Sequence, residues 1–200
     1  MSDNVPTPQV LLLADWQNAG PTHWLSRWQA AHGYRRVVQH DGLRPLRGDW
    51  MMQLEEAVLE SKPGLSVTLV AHGLGCLLVA AWAVHSRHRH RVKAALLVAP
   101  TDVEREALRA LLASWSPIPC QPLPFNSILV GSRDDPHCSF ERAQALAQAW
   151  GSEFLDGGQP GQTNAESGRG AWPQGHALLV RLSESGQLGA GPKRCSANQY

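Results

Sequence analysis

A parallel sheet with helices on both faces is the fold this sequence predicts, and three observations carry it. Short apolar, β-rich runs alternate with helical patterns along the chain, which is how a parallel sheet covered on both sides is written. One such run, 65–71, passes through a turn of small residues directly into a helical segment. Two hundred residues with an apolar share of 43% suit one domain with a substantial core.

Taken in order, strands are expected at 10–14 (Val10 to Ala14), 36–40, 65–71, 94–98, 127–131 and, more briefly, 153–155. Helices are expected between them at 22–32, 50–61, 75–85, 103–113 and 139–150, with a last one at 173–183. Thr22 and Ser139 stand where N-caps belong, and Glu141 sits early in its helix, where the macrodipole favours an acid. The stretch 114–126 carries Pro117, Pro119, Pro122 and Pro124 and must be an extended connection. Residues 157–170, rich in Gly, Gln, Ser and Asn, read as a loop over the active face. The domain is expected to span 1–184, with 185–200 a disordered tail.

Composition narrows the function. A formal charge of +1 gives no electrostatic footprint for nucleic acid or an anionic membrane. No apolar run approaches the roughly 20 residues of a membrane span, and residues 1–8 lack a basic region followed by an apolar stretch, so no signal peptide is expected. Cys76, Cys120, Cys138 and Cys195 show no metal-ligand spacing. Free thiols in the cytoplasm, with no metal and no cofactor, are the expectation. Eight tryptophans against three Phe and two Tyr read as core and pocket-lining groups.

The segment that carries chemistry is Ala71-His72-Gly73-Leu74-Gly75. It has the frame of a nucleophile elbow, the sharp strand-to-helix turn G-x-S-x-G that lifts a serine hydroxyl above a sheet. Small residues occupy its first and fifth positions, where strand and helix approach closely. At the centre, where serine belongs, stands Gly73. Glycine tolerates the strained backbone of that turn better than any other residue. The frame survives; the nucleophile does not.

Several further motifs accompany the elbow. They are Trp16-Gln-Asn-Ala-Gly-Pro-Thr-His-Trp24, Leu97-Val-Ala-Pro100, Pro117-Ile-Pro119 and Leu123-Pro-Phe-Asn-Ser127, then Ser132-Arg-Asp-Asp-Pro-His-Cys-Ser139 and Asn164-Ala-Glu-Ser-Gly168 with Trp172-Pro173. Together they make the chain resemble, over residues 10–182, the small serine hydrolases grouped with retinoblastoma-binding protein 9. The resemblance implies a compact single-domain α/β-hydrolase fold of about six mostly parallel strands. It also implies a Ser-Asp-His triad whose serine falls on Gly73, whose acid falls on Asp135 and whose histidine falls on Gln162. The family has a Pro-Gly pair after the first strand, where this chain has Ala14-Asp15. A backbone amide at Asp15 or Trp16, with that of Leu74, is the expected donor pair for an oxyanion. An ionised Asp15 beside that pair opposes the charge such a site stabilises.

A triad acts as a unit: serine attacks, histidine moves the proton, and aspartate holds the imidazole. Gly73 has no heteroatom, and Gln162 cannot carry a proton at neutral pH. In a well-studied serine protease, losing nucleophile or base alone costs on the order of 10⁶ in turnover. The other candidates read as structural. Cys76 is one helical turn past Gly73 and reads as buried and inert, and His72 as a packing side chain. His137 and His176 read as surface groups, and the basic run 87–93 as a solvated helix end. Asp135 reads equally as a relic of catalysis or as the acceptor of a turn, and a metal on Asp134, Asp135 and His137 lacks a second ligand cluster.

The expected function is that of a pseudo-hydrolase whose pocket binds a small ester, acyl or peptide-like ligand. The alternatives are a weakly active or rearranged esterase using His72 or His137 with a water, and a protein-interaction module. Restoring Ser at 73 and His at 162 is expected to recover esterase activity if the rest of the site is intact.

Overall fold

Leu11, Leu13, Leu69, Ala71, Ala95, Leu97 and Leu129 point to one side of a sheet, and Val10, Leu12, Val70, Leu96, Val98 and Val130 to the other. Both sets are buried. That period-two alternation of two apolar faces is why the strands read as near-continuous hydrophobic runs, and it requires helices on both sides. In the computed structural model, which describes residues 9–16, 19–158 and 171–185, those helices are present.

The strands are β1 (Gln9–Leu13), β2 (Arg35–Arg36), β3 (Val67–Gly73), β4 (Val92–Pro100), β5 (Asn126–Gly131) and β6 (Glu153–Asp156). They form one sheet in the order β2-β1-β3-β4-β5-β6, every neighbouring pair parallel. The helices are α1 (Trp24–His32), α2 (Arg47–Leu59), α3 (Leu74–His85), α4 (Glu106–Arg109), α5 (Phe140–Trp150) and α6 (Pro173–Ser185). Trp50 and Leu54 of α2, most of α3, and Leu146 and Trp150 of α5 pack on the first face. Trp24, Leu25 and Trp28 of α1, with Leu179 and Leu182 of α6, pack on the second. Seven of the eight tryptophans are buried and Trp16 is half-buried.

Chain order runs from β1 outward to β2 and then back past β1 to β3. The gap between the carboxyl ends of β1 and β3 is therefore the topological switch point, where open α/β sheets place their ligands. The loop after β1 and the turn into α3 meet there.

Several elements differ from expectation for local reasons. The second strand shrinks from five residues to two, because β2 lies at the sheet edge and pairs only with β1. The helix expected at 103–113 breaks into the single turn of α4 and a 3₁₀ turn, Ala113–Trp115. There Trp115 Nε1 donates to the carbonyl of Pro45 at 2.7 Å, so a buried tertiary contact overrides helix propensity. His23, not Thr22, caps α1: its Nδ1 accepts the Leu25 amide at 3.1 Å. Ser139 caps α5 through the Arg142 amide. Most of the basic run 87–93 is exposed, as a solvated helix end should be, and its polar groups also meet neighbouring carbonyls. Arg91 donates to the carbonyls of Leu59 and Ser61 behind α2, Arg89 to that of Ala83 in α3, and His88 meets Glu55 at 2.6 Å. The run closes the ends of two helices.

No helix among the described residues is long and apolar enough to cross a membrane. The expected tail, apart from Ser185 at the end of α6, lies outside the described residues, as does most of the loop expected at 157–170.

Candidate active site at the carboxyl edge of the sheet

Gly73 ends β3 and caps α3 with φ 57° and ψ −122°. A side chain at such a φ is strained, and this is the sharp strand-to-helix turn that an elbow requires. Two residues on, a Cβ at Gly75 would come within 2.7 Å of the Leu13 carbonyl, so α3 can enter this close to β1 only without a side chain there. Beside the turn, Ala99 at the end of β4 also has a left-handed backbone (φ 49°), and Thr101 N–H donates to the Gly73 carbonyl at 3.4 Å.

The space above Gly73 is filled by Asp15. A Cβ built on Gly73 would lie 2.3 Å from the Asp15 Cγ, 2.5 Å from Oδ1 and 2.7 Å from Oδ2. The carboxylate therefore stands where a serine hydroxymethyl would begin. Its Oδ1 accepts the Leu74 amide at 2.8 Å and the Trp16 amide at 2.9 Å. These are the amide that follows the nucleophile position and one from the loop after the first strand, the two expected to converge. Their common acceptor is the protein's own carboxylate, turned inward. Burial pushes the Asp15 carboxyl up from its ordinary 3.8, against the pull of those two amides and a smaller electrostatic pull from His137 and His23.

Asp135 follows β5 in the turn before α5 and is half-buried. Its Oδ1 accepts the His137 amide at 2.8 Å, and the Cys138 amide also favours its charged form. Burial pushes its carboxyl up, and the negative charge of Asp15 adds to that shift. Gln162 lies outside the described residues, as do the neighbouring residues of its loop.

The remaining candidates are placed as follows. Cys76 is fully buried in α3 with its thiol donating toward the carbonyls of Val98 (3.4 Å) and Ala71 (3.5 Å). Burial holds its pKa well above the ordinary value, and Cys138 is pushed up to about 12, mainly by burial. Neither is a ready thiolate. The His72 ring packs edge-on against His23 (centroids 4.9 Å apart) and Trp24 (6.1 Å). His137 is exposed and contributes its backbone to the Asp135 turn. His176 departs from its surface reading: half-buried in α6, it stacks on His32 at 4.1 Å and bonds the Tyr34 hydroxyl at 2.8 Å. Among the described residues no three His, Cys, Asp or Glu side chains stand together to hold a metal ion, so the candidate set Asp134, Asp135 and His137 is not assembled.

His23 was not singled out by sequence, though it faces the same corner. Burial, with the charges on His72 and Arg36, lowers its pKa to about 3, so it is neutral at physiological pH. With Nδ1 accepting the Leu25 amide, its proton sits on Nε2. It can donate there but has no lone pair left to act as a base.

The comparisons with known proteins agree with this architecture. A YdeN-like hydrolase from Pectobacterium atrosepticum superimposes with a TM-score of 0.78 at 26% identity, over 90% of this chain and 92% of that one. The ydeN gene product of B. subtilis gives 0.68 at 19% identity, over 89% and 100%. Est1E from Butyrivibrio proteoclasticus, solved with ferulic acid bound, gives 0.65 at 11% identity, over 92% and 91%, a likeness of fold alone. No curated protein matches the chain. The serine hydrolase family profile matches residues 10–181, and the chain belongs to the serine hydrolase family.

Proposed function

We propose that this member of the serine hydrolase family does no acyl-serine chemistry and acts as a pseudo-hydrolase, a scaffold whose cleft holds a small ester, acyl or peptide-like ligand without cleaving it through residue 73. One observation carries the reading. The Asp15 carboxylate occupies the space of the missing hydroxymethyl and takes up both amides at the turn. Acyl transfer needs a nucleophile, a base and vacant donors for the developing oxyanion. Here residue 73 offers no nucleophile, the position the resemblance assigns to histidine carries Gln162, and the donors are already taken by the Asp15 Oδ1. A ligand in the cleft therefore binds without its carbonyl oxygen on the Leu74 and Trp16 amides.

The rearranged-esterase reading is weaker. His72 is packed among aromatic rings, and His137, though exposed near Asp15, would have to activate water against a carbonyl that finds no donors. No observation favours an interaction module over the pseudo-hydrolase. The finer grouping with retinoblastoma-binding protein 9, and a cytoplasmic setting, belong to the same proposal and rest on motifs and cysteine usage.

The test is labelling with a fluorophosphonate probe alongside turnover of a p-nitrophenyl ester. The expected result is no labelled residue and hydrolysis no faster than buffer. Stoichiometric phosphonylation, or an initial burst of nitrophenol, would overturn the reading.

A further inference from the structure

Helix α6 is seated on α1 by rings that can take up protons. His176 of α6 lies flat on His32, with centroids 4.1 Å apart and planes 16° apart. Its Nε2 is hydrogen-bonded to the Tyr34 hydroxyl at 2.8 Å, and Trp28 of α1 meets the ring edge-on at 5.2 Å. One turn earlier the chain is strained. Trp172, just before α6, has φ 43°, a left-handed backbone that a bulky residue rarely adopts. Packing holds it there. Its indole lies over Gly175, where a Cβ would come 2.2–2.4 Å from the ring, and Trp28 Nε1 donates to the adjacent Ala171 carbonyl. The same indole meets Trp24 at 5.0 Å, and Trp24 meets His72, the residue before Gly73, at 6.1 Å.

We propose that the His32–His176 stack is a proton-sensitive latch, and that proton uptake at His176 releases the first turns of α6 from α1, with Trp172 as the hinge. Burial resists a charge on His176, and the charge on the stacked His32 resists it further, so both lower its pKa from the ordinary 6.5. The Tyr34 bond does not add to that resistance, because a hydroxyl can donate to a neutral Nε2 or accept from a protonated one.

No neighbouring acid offsets the penalty among the described residues. Beneath α6 lie β4 and β5, whose one ionisable side chain, Lys93, is exposed. On α1, Arg27 is turned to the Thr22 carbonyl. Past α1, Arg35 is bonded to Glu60 and Arg36 to Ser26. Farther along α6, Arg181 takes the Glu153 carboxylate of β6.

Above 6.5 His176 is neutral whether α6 is docked or released, and the latch holds. As pH falls below 6.5, the released form binds the proton that the docked form resists, so docking weakens until the lowered docked value is passed. Release also frees the strained backbone at Trp172, which adds to the drive once the stack is lost. The latch is independent of the chemistry at residue 73.

The test is hydrogen–deuterium exchange of the full chain at about pH 7.5 and about pH 5.5, a window in which histidine titrates, corrected for the intrinsic exchange rate. Peptides covering Trp172 and the first half of α6 should lose protection by at least about threefold at the lower pH. His176→Gln keeps a partner for the Tyr34 hydroxyl and takes up no proton, so it should remove that difference. His32→Gln should reduce the difference and raise the pH at which His176 titrates. Histidine NMR of the unmutated chain decides the matter should a variant fail to fold: the ring in contact with Trp28 and Tyr34 should titrate below 6.5. Titration at or above that value, equal protection at the two pH values, or a loss of protection that persists in His176→Gln would overturn the proposal.

Discussion

Two acids stand at the same sheet edge, each half-buried, each pushed upward in pKa and each receiving two backbone amides, yet they are held in different ways. Asp135 is served by its own turn, through the amides two and three residues ahead. Asp15 is served by its neighbour Trp16 and by Leu74, 59 residues away at the start of α3. The first arrangement is a local turn that a Ser-Arg-Asp-Asp-Pro segment forms for itself. The second ties the β1 loop to the elbow and exists only because Gly73 leaves the space open. The acid that the resemblance assigns to a triad is thus compatible with a purely structural role, whereas the acid at position 15 fills the space above the strand-to-helix turn.

The largest effect expected from this contrast is in activity. The sequence alone suggested that Gly73→Ser with Gln162→His would recover an esterase. The position of Asp15 changes that expectation, since a new side chain at 73 overlaps its carboxylate. The double variant should stay near the buffer rate, and adding Asp15→Gly should raise ester turnover by at least about 10²-fold, the scale of losing one oxyanion donor. Equal rates with and without Asp15→Gly would show that the carboxylate does not obstruct the site.

A smaller effect is expected in stability against pH. The folded chain holds the Asp15 proton more tightly than the unfolded chain does, so this acid favours folding when protonated. That contribution is complete below the ordinary carboxylate value of 3.8 and is lost as pH rises through the elevated folded value. Asp15→Asn removes the dependence. Its stability relative to wild type should therefore increase with pH across that window and be flat below it. His137, His23 and Asp135 face the same corner in both proteins, and urea melts of the pair, read as a difference, report the Asp15 contribution. A difference that shrinks with rising pH would reverse the sign.

The smallest effect should come from Asp135→Ala. Losing acceptors for the His137 and Cys138 amides in a solvent-accessible turn should cost about 0.5–1.5 kcal/mol, with no change in how residue 73 tolerates substitution. A larger loss in urea melts, or altered behaviour at 73, would mean that the two acids act as one unit.

How much of this was legible in the sequence follows the range of the interactions. The alternation of faces in β1, β3, β4 and β5 is local and could be read from residues such as Val10 to Leu13. So could the elbow, from a β-rich run entering Gly73-Leu74-Gly75. The short edge strand β2 and the broken helix at 103–113 are not legible in the sequence, because pairing with one neighbour, and the Trp115 bond to Pro45, are tertiary facts. Asp15 was suspected of opposing an oxyanion, but its inward turn depends on an amide 59 residues away. The legible signal was the pairing itself: an acid where the family has Gly, and Gly where the family has Ser. His23 gave less warning, because a histidine is not the usual N-cap.

The most direct test is a double-mutant cycle in urea with Gly73→Ala and Asp15→Gly. The overlap with the carboxylate, added to the left-handed backbone, should make Gly73→Ala cost about 1–3 kcal/mol in the wild-type background. Most of the overlap cost should vanish beside Asp15→Gly, leaving a coupling of about 0.5–3 kcal/mol. Simple additivity of the two substitutions would contradict the claim that the Asp15 carboxylate fills the nucleophile's place.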